Sequence, residues 1–502
     1  MTETKLITPK EANRLEDPSM AYQVMEQRRE LPTALLGGTL KMRNDGQAWL
    51  PKELGEKTDA YQRRLQRSFL FNGYGDAVRR TVSKPFSKPV SVRGEDIPER
   101  IQAFLEDVDL SGRTLHSFAR DVFFDAVHNG VSFVMVDGPS GEASNLAEQQ
   151  QNPAMAPRLV HASAASVFKL FSTTSGATTV DAVYLKGEDV RRNGEHGEET
   201  VSEITVWTPE DFATYAKTKE EEDYALDDEA SGRHSFKIVP IFPAYTNQTG
   251  FMTGTPPYED LAWVNLAHWQ SSSDYRNNLR ISQVPIPYEA GTPVSEDPKA
   301  PFVISASHVH RSQSPNYKIG FAETSGNALR AGREDLTDLE AKMMLLGMRP
   351  FVERTGNQTA TARALDEANV QCDVQAWVRG LERTLEAAIT LAAESMNEKL
   401  PDDFSVDVFQ DFAVSMKAVE NFKALTEARK LGDIDRRTYL EESRRLGFLD
   451  EETDIEELLM AVEQEQRDAA AMFGTPGLDE DDDDDDTDGG EGEEPEASDE
   501  NE

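Results

Sequence analysis

The side chains that could carry chemistry are few in this sequence and widely separated. Of the eight histidines, only His308 and His310 form a close pair, and their spacing would place both rings on one face of a strand. No acidic residue or cysteine stands near them at the spacing of a metal-binding motif. The pair therefore favours a solvent-exposed strand face over a metal site.

The motifs that usually mark an enzyme are also missing from the sequence. A phosphate-binding loop needs glycines followed by Lys and then Ser or Thr, and no such run occurs. The G-x-S-x-G turn of many hydrolases, the HExxH zinc motif and paired cysteines are absent too. The sequence therefore predicts a protein that is not an enzyme and that needs no cofactor.

The charge of the chain argues against tight binding to nucleic acid. Its 502 residues include 92 Asp and Glu but only 52 Lys and Arg, giving a net charge of −40 at pH 7. Sixteen acidic residues and no Lys or Arg lie in 479–502, and the remaining chain still carries −24. DNA is held by clustered basic residues that displace its counterions, so any contact with DNA should be loose.

No sequence feature indicates a membrane or an oxidising compartment. Hydrophobic residues make up 38% of the chain, but no run of eighteen apolar residues occurs. The first thirty residues lack the apolar stretch of a signal peptide, and the single Cys372 permits no internal disulfide. We therefore expect a soluble, multidomain protein of a cytoplasm.

Hydrophobic periodicity predicts an α+β first half. One helix is predicted from Asp59 to Val82 and another over 112–129. Asn193-Gly194 marks a hairpin turn, and Lys219–Glu229 is interpreted as an acidic excursion between elements. Residues 1–55 give only a weak helix signal, over 19–30. Strands are predicted at 131–136, 158–161, 179–186, 201–207 and 236–242.

Long helices dominate the second half. Residues 258–281 predict a helix roughly 36 Å long. A second helix opens near Asp335, and the segment 284–324 between the two is a short strand-and-turn insert. The longest periodic pattern, over 361–397, predicts another helix. A strand is predicted at 404–408, followed by short helices at 415–430, 434–446 and 453–470.

Several local patterns, taken in order along the chain, resemble one protein family. They are Tyr61–Ser68 (YQRRLQRS), Pro256–Ala262 (PPYEDLA) with Asn265 and Ser273–Tyr275, Gly320–Gly326 (GFAETSG), Leu339–Met343 (LEAKM) with Leu346-Gly347, and Thr359–Ala364 (TATARA). Their order and spacing resemble the portal, or connector, proteins of tailed double-stranded-DNA bacteriophages. The resemblance spans roughly residues 58–465.

The resemblance implies an α+β, mainly helical portal fold whose subunits form a ring, typically of twelve, at one vertex of a capsid. It divides the chain into an N-terminal arm (1–57), a wing (58–255), a first stem helix (256–283), a clip (284–324), a second stem helix (325–348), a channel loop (349–360), a long helix and strand returning to the wing (361–414), crown helices (415–470) and a disordered acidic tail (471–502).

The resemblance also implies two sets of site residues. The clip would face the terminase, the packaging motor, with Glu296, Asp297, Lys299, His308 and His310. The channel loop would face DNA, and because it is largely polar its contact with DNA should be weak and non-specific. Its DNA-facing residues would be Glu353, Arg354, Thr355, Gly356, Asn357, Gln358 and Thr359.

A portal would be a conduit for double-stranded DNA during packaging and ejection. The implied partners are other copies of the chain, the terminase large subunit, a head–tail connector or adaptor, the major capsid or scaffold protein, and loosely held DNA, with no membrane. The implied location is the portal vertex of the virion, after assembly in the cytoplasm of a host bacterium. An acidic wall suits this role, since a basic wall would bind the moving polyanion.

Two other interpretations of the sequence stay open. The chain could be a structural head–tail adaptor or scaffold through which no DNA passes. It could also be an acidic DNA mimic or chaperone-like binder organised around its polyacidic tail.

Overall fold

The chain folds into two compact units, Met1–Ala413 and Val414–Glu502. The structure is a computed structural model, and it describes residues 9–138, 156–283, 286–290, 315–316, 318–322, 326–348, 373–410, 412–445, 448–449, 455–456 and 458–461. Helices and strands are both well represented in the first unit, and the α+β class expected from the sequence is confirmed.

The described residues include eleven α-helices of eight residues or more, and residues 458–461 are helical as well. The eleven helices are α1 (Met20–Leu36), α2 (Gly38–Asp45), α3 (Thr58–Arg67), α4 (Gly73–Ser83), α5 (Glu99–Glu106), α6 (Leu115–Asn129), α7 (Glu259–Ser282), α8 (Gly326–Met348), α9 (Asp373–Ser395), α10 (Phe412–Leu431) and α11 (Arg436–Arg445).

The described strands pair only in antiparallel fashion. They are β1 (Ser91–Arg93), β2 (Val131–Asp137), β3 (Arg158–Ala162), β4 (Val167–Ser175), β5 (Ala177–Asn193), β6 (Gly197–Trp207), β7 (Asp211–Thr218), β8 (Ala225–Arg233), β9 (Ile241–Tyr245), β10 (Gln248–Gly250), β11 (Thr253–Gly254), β12 (Ile286–Ala290), β13 (Lys318–Ala322) and β14 (Ser405–Asp407). The two largest sheets have the orders β3-β2-β9 and β4-β5-β6-β7-β8, and β1-β14, β10-β11 and β12-β13 form two-stranded sheets.

Strand β2 is the centre of the first unit because both of its faces are buried. Val134 and Val136 belong to one hydrophobic cluster, which the helices share, whereas Phe133 and Met135 belong to a second cluster with residues of the β4–β8 sheet. Successive side chains of a strand point to opposite faces. A strand buried on both sides therefore shows apolar residues at successive positions, as over 133–136, instead of alternation with exposed polar residues.

The N-terminal segment is part of the core rather than a separate arm. Leu31 and Leu35 of α1 lie in the helix-side cluster, and Tyr22 and Met25 lie in the sheet-side cluster. Met42 of α2 is also fully buried. The sequence signal was weak because the apolar residues of α1 serve two cores and so do not form one stripe on the helix.

The predicted helix from Asp59 to Val82 is wrong as a single element. It divides into α3 and α4, and the chain between them, 68–72, is not helical. The Asn72 side chain accepts a hydrogen bond from the amide of Gly75 at 2.8 Å and so caps α4. The apolar residues keep their helical spacing across the break, so the spacing alone does not reveal it. Tertiary contacts, and not local helix propensity, end the first helix.

Two predictions in the β region need correction. The predicted strand 236–242 is not formed as such; the strand is β9, which begins at Ile241. Lys237 has a φ of +59°, a left-handed conformation that interrupts an extended chain. The acidic excursion Lys219–Glu229 is also partly a strand, since β8 begins at Ala225. β8 is an edge strand of its sheet, where exposed acidic side chains are tolerated.

The second unit contains the short helices expected near its start. α10 and α11 correspond to the predicted helices 415–430 and 434–446. Phe422 of α10 stacks on Phe448 with ring centroids 4.0 Å apart, and Thr426 and Tyr439 join the two helices through their hydroxyls at 3.4 Å. The polyacidic tail lies outside the described residues.

A buried histidine links α6 to α1 and α4. Nδ1 of His128 is 2.9 Å from the Tyr74 hydroxyl, and Nε2 is 3.2 Å from the Thr33 hydroxyl. Burial lowers the pKa of His128 from 6.5 to about 4; the nearby Asp125 carboxylate opposes this shift, and Arg29 adds to it. The ring is therefore neutral in the folded chain at neutral pH.

We predict that His128 makes the fold less stable in mild acid. In the unfolded chain the ring binds a proton near pH 6.5, whereas in the folded chain it does so only near pH 4. Its stabilising contribution is complete above pH 6.5 and is lost as the pH falls towards 4. Between pH 7 and pH 5 this loss amounts to about 2 kcal/mol of the free energy of unfolding.

Urea unfolding of the wild type and of His128→Gln at pH 7 and pH 5 measures this contribution. Glutamine can bond Thr33 and Tyr74 but does not titrate, so H128Q should lose about 2 kcal/mol less than the wild type on acidification. His196→Gln changes an exposed histidine on the β5–β6 turn and should behave like the wild type. An equal loss in H128Q and the wild type would contradict the assignment.

Candidate functional site

The residues predicted to face DNA and the terminase lie outside the described residues. This applies to Glu353, Arg354, Thr355, Gly356, Asn357, Gln358 and Thr359 of the channel loop, and to Glu296, Asp297, Lys299, His308 and His310 of the clip. In the region that the resemblance assigns to the stem, clip and channel loop, the structure describes the two predicted stem helices and the strands beside them.

The helices α7 and α8 form an antiparallel pair with a constant register. Leu261 faces Gly347, and His268 Nε2 lies 3.4 Å from Glu340 Oε1. Further along, Tyr275 packs so closely on Gly332 that a Cβ at this glycine would lie 3.0 Å from the ring. Each step of seven residues on α7 thus matches a step of seven or eight on α8, or about two turns of each helix.

The antiparallel pairing extends beyond the helices into a strand pair. β12 begins four residues after the end of α7, and β13 ends four residues before the start of α8. Ile286 pairs with Ala322, and Ala290 pairs with Lys318. Two helices followed by two paired strands make one elongated hairpin, which we call the rod.

The rod is packed into the first unit at only one end. The buried residues of α7 lie between Leu261 and Ser273, and none lies in its last nine residues. Along α8, only Met343 is buried among the described side chains. The opposite end of the rod therefore has contacts mainly within the rod itself.

Arg64 lies at the centre of the contacts that attach the rod to the rest of the first unit. We call this set of contacts the joint. The Arg64 guanidinium donates two hydrogen bonds to the Glu56 carboxylate, at 3.0 and 2.9 Å, and one to the Pro51 carbonyl at 2.8 Å. A longer contact of 3.4 Å reaches Asp274 of α7. The Arg64 side chain is only 5% exposed, so the joint contains a buried ion pair.

The two carboxylates around Arg64 differ in their electrostatics. Hydrogen bonding from Arg64 lowers the pKa of Glu56, whereas burial raises the pKa of Asp274 and Arg64 only partly opposes the rise. The bidentate geometry to Glu56 makes it the main partner. Arg64 thus binds the loop that precedes α3 more closely than it binds α7.

The break between α3 and α4 supplies the rest of the joint. Asn265 of α7 donates from its amide to the Phe71 carbonyl at 2.8 Å and accepts from the Tyr74 amide at 2.9 Å. The hydroxyls of Ser68 and Ser273 lie 2.9 Å apart. The Phe71 carbonyl inside the break is thus satisfied by a side chain of α7, while the Ser68 carbonyl and the Leu70 amide bond Arg43 and Thr39 of α2.

These joint residues belong to the patterns that carry the family resemblance. The segments Tyr61–Ser68 and Ser273–Tyr275 meet through Arg64 and Asp274. Met343 of the LEAKM segment packs where a Cβ at Gly73 would lie 3.1 Å from its sulfur. The sequence patterns identified the segments but not the contact between them. Residues about two hundred positions apart can be in contact without any pattern in the local sequence that shows it.

One constellation in the first unit superficially resembles a catalytic triad. Ser132, His161 and Asp125 converge, with Ser132 Oγ at 2.9 Å and Asp125 Oδ2 at 3.5 Å from His161 Nε2. A triad needs the acid and the nucleophile on different ring nitrogens, and here both contact the same one. Ser132 is also fully buried. The arrangement anchors β2 to β3 and α6 and does not activate a nucleophile.

Across the described residues, no three His, Cys, Asp or Glu side chains come together as ligands for a metal ion. No helix among these residues combines the length and the apolar character needed to cross a membrane.

Comparisons with known proteins give one family match and several similar structures. A domain of unknown function, DUF4055, matches residues 257–396, which include α7, α8 and α9. No curated protein matches the chain.

The similar solved structures come from gene transfer agent (GTA) particles. A chain of "Virion of native gene transfer agent (GTA) particle" is 12% identical with a TM-score of 0.36, covering 81% of this chain and 98% of its own. A chain of "Neck of empty GTA particle computed with C6 symmetry" is 11% identical with a TM-score of 0.38, covering 82% and 93%. A chain of "Neck of native GTA particle computed with C12 symmetry" is 10% identical with a TM-score of 0.36, covering 75% and 89%. TM-scores in this range do not establish a common fold.

We predict that the joint depends on Arg64 rather than on positive charge in general. Replacing Arg64 by Met leaves the partly buried Glu56 without its partner and should cost about 2 kcal/mol of the free energy of unfolding. Arg63→Met makes the same chemical change at an exposed neighbouring position and should cost less than about 0.5 kcal/mol. Urea unfolding of the two variants compares them, and equal losses would show that Arg64 does not hold the joint.

Proposed function

We propose that this chain is the subunit of a portal ring. In this proposal about twelve copies surround a channel at one vertex of a capsid, and double-stranded DNA passes through it during packaging and ejection. The ring is a docking site for the terminase large subunit and for a head–tail connector, and it has no catalytic role of its own.

The observation that carries the proposal is the exposure of the rod in the single chain. One stripe of α8 packs on α7, whereas Met344 and Leu345 are 70% and 73% exposed. Adjacent exposed apolar side chains on a helix that already has a partner are typical of a surface that another chain covers. Neighbouring rods of a ring would supply it, and the rods would then enclose a common axis.

The charge of the chain supports passage of DNA without tight binding. A ring of chains whose bodies each carry −24 surrounds the axis with negative potential, so a polyanion finds no deep binding minimum. In the proposed arrangement the polar residues of 349–360 touch DNA weakly. The segment between β12 and β13 faces the terminase with the five residues named above, from Glu296 to His310.

The remaining elements take supporting positions in this proposal. The α+β body around β2 forms the wing outside the channel, and α10 and α11 belong to the crown. Assembly takes place in the cytoplasm of a host bacterium with the major capsid or scaffold protein, and the mature location is the portal vertex of the virion.

We predict that the purified full chain forms annular particles. Light scattering should give a mass of roughly 670 kDa, which is twelve times the 55.9 kDa of one chain. Negative-stain images should show rings with a central hole. Particles of one or two chains would contradict the proposal and favour the acidic chaperone-like binder, and closed particles without a hole would favour an adaptor or scaffold.

We also predict that the polyacidic tail is not needed for assembly. Deleting 479–502 removes sixteen acidic residues and no basic ones, and a highly charged segment of this kind contributes no packed core. The truncated chain should give the same ring mass per subunit as the full chain. Loss of rings on truncation would favour a function organised around the tail.

A further inference from the structure

The outer half of the rod carries a cluster of arginines in an otherwise acidic chain. Arg276 and Arg280 of α7 lie beside Arg67 of α3, next to the buried Arg64. Arg276 is held in place because its guanidinium lies 4.1 Å from the centre of the Phe69 ring. We call Arg67, Arg276 and Arg280 the basic flank.

The basic flank has no acidic partner in the part of the chain that the structure describes. Its three arginines are exposed, and no carboxylate of the described residues lies within 4 Å of them. The hollow between them has a volume of about 30 Å³, room for a water molecule or two but not for a small ligand. The helix dipoles at the ends of α3 and α7 favour positive charge but leave the guanidinium donors unused.

The same rod carries acidic residues on α8. Glu334 and Asp338 are exposed and one turn apart, and Asp335 stands beside them. On a helical wheel, Glu334 and Asp338 lie about 160° and 120° from Gly332, which packs on Tyr275 of α7. No basic side chain of the described residues lies within 4 Å of these three carboxylates. We call them the acidic flank.

The two flanks face different ways on one rod. Arg276 and Arg280 lie roughly 100° and 140° around α7 from Tyr275, which packs on α8. Arg276 and Arg280 are thus turned away from α8, and Glu334 and Asp338 are turned away from α7. One rod cannot bring them together, but the rod of a second copy can.

We propose that the basic flank of one copy docks on the acidic flank of the next copy around a ring. This inference rests on the proposed ring and names the surfaces that close it. Such a contact is heterologous, with different patches meeting on the two partners, and contacts of this kind generate rings when the rotation closes.

The flanks also match in height along the rod. Tyr275 is level with Gly332, so Arg276 and Arg280 are level with α8 residues near 331 and 327. Arg67 is adjacent to Ser68, which contacts Ser273 and so lies nearer the level of Glu334. At 1.5 Å per residue, Glu334 therefore lies about 5 Å along the rod from Arg276 and about 10 Å from Arg280, a span that extended arginine and carboxylate side chains bridge, and Asp338 lies about 6 Å further away.

A second copy of the chain fits the basic flank better than DNA does. A clustered basic surface that faced DNA in the channel would hold the strand through counterion release, and the acidic body would then work against it. Carboxylates of a neighbouring rod neutralise the arginines in pairs and set the orientation of the two copies.

Charge exchange between the flanks tests the docking. One variant carries Arg276→Glu and Arg280→Glu, and the other carries Glu334→Arg and Asp338→Arg. Each variant alone places like charges at every contact, so its fraction of rings at about 0.15 M salt should fall at least tenfold. In an equimolar mixture, alternating copies restore opposite charges at every contact, and rings should return.

The control variant carries Arg192→Glu and Lys219→Glu. Both residues are exposed in the β4–β8 region, and the change in net charge equals that of the first variant. It should form rings as the wild type does. The readouts are ring mass by light scattering and retention of a labelled double-stranded DNA fragment on the purified particles.

The outcomes separate this inference from the proposed function. Rings from the mixture and not from either variant alone support the docking. Rings from each variant alone, or no rings from the mixture, overturn the docking of the two flanks. Wild-type rings in the same experiment would leave the proposed function unaffected. Variants that form rings but lose DNA retention would show that the basic flank faces DNA, which also overturns the docking. Absence of wild-type rings would reject the proposed function itself.

Discussion

The structure depends on anchoring a long helix pair at one end only. In α7, Asn265 bonds the Phe71 carbonyl inside the α3–α4 break and the Tyr74 amide at the start of α4, and Arg64 holds the adjoining loop through a bidentate ion pair with Glu56. These contacts use groups that would be costly to leave unpaired, so the direction of the rod is set at its base. Beyond the base, the constant register of α7 on α8 and the paired strands β12 and β13 carry that direction outward.

A rod anchored at one end leaves apolar side chains uncovered and charged side chains without oppositely charged partners in the single chain, among the residues that the structure describes. The apolar Met344 and Leu345 and the separate basic and acidic flanks lie on faces that the partner helix leaves open. Burial of apolar surface would supply much of the affinity between copies, and the charged flanks would set register and orientation. The net negative charge of the body adds repulsion towards DNA, which suits a channel that must not hold the strand.

The sequence predicted most elements whose apolar residues form one regular pattern. The helix predicted over 258–281 is found at Glu259–Ser282, and the run over 131–136 is β2. The failures have physical causes: α1 serves two cores, tertiary hydrogen bonds to Asn265 break the helix after Arg67, and the left-handed Lys237 interrupts an apolar run. The residues assigned to the channel loop and clip came from family resemblance and remain predictions. The joint around Arg64 could not be predicted from the sequence, because its contacts join distant segments and leave no local pattern.

The most direct test of this account is a cryo-electron microscopy reconstruction of the assembled full chain, viewed down its symmetry axis. We expect the α7–α8 pairs of successive copies to surround a central opening, with β12 and β13 at one rim and Met344 and Leu345 covered by the neighbouring copy. A particle in which the α7–α8 pairs lie away from any axis, with these two side chains facing solvent, would contradict the account.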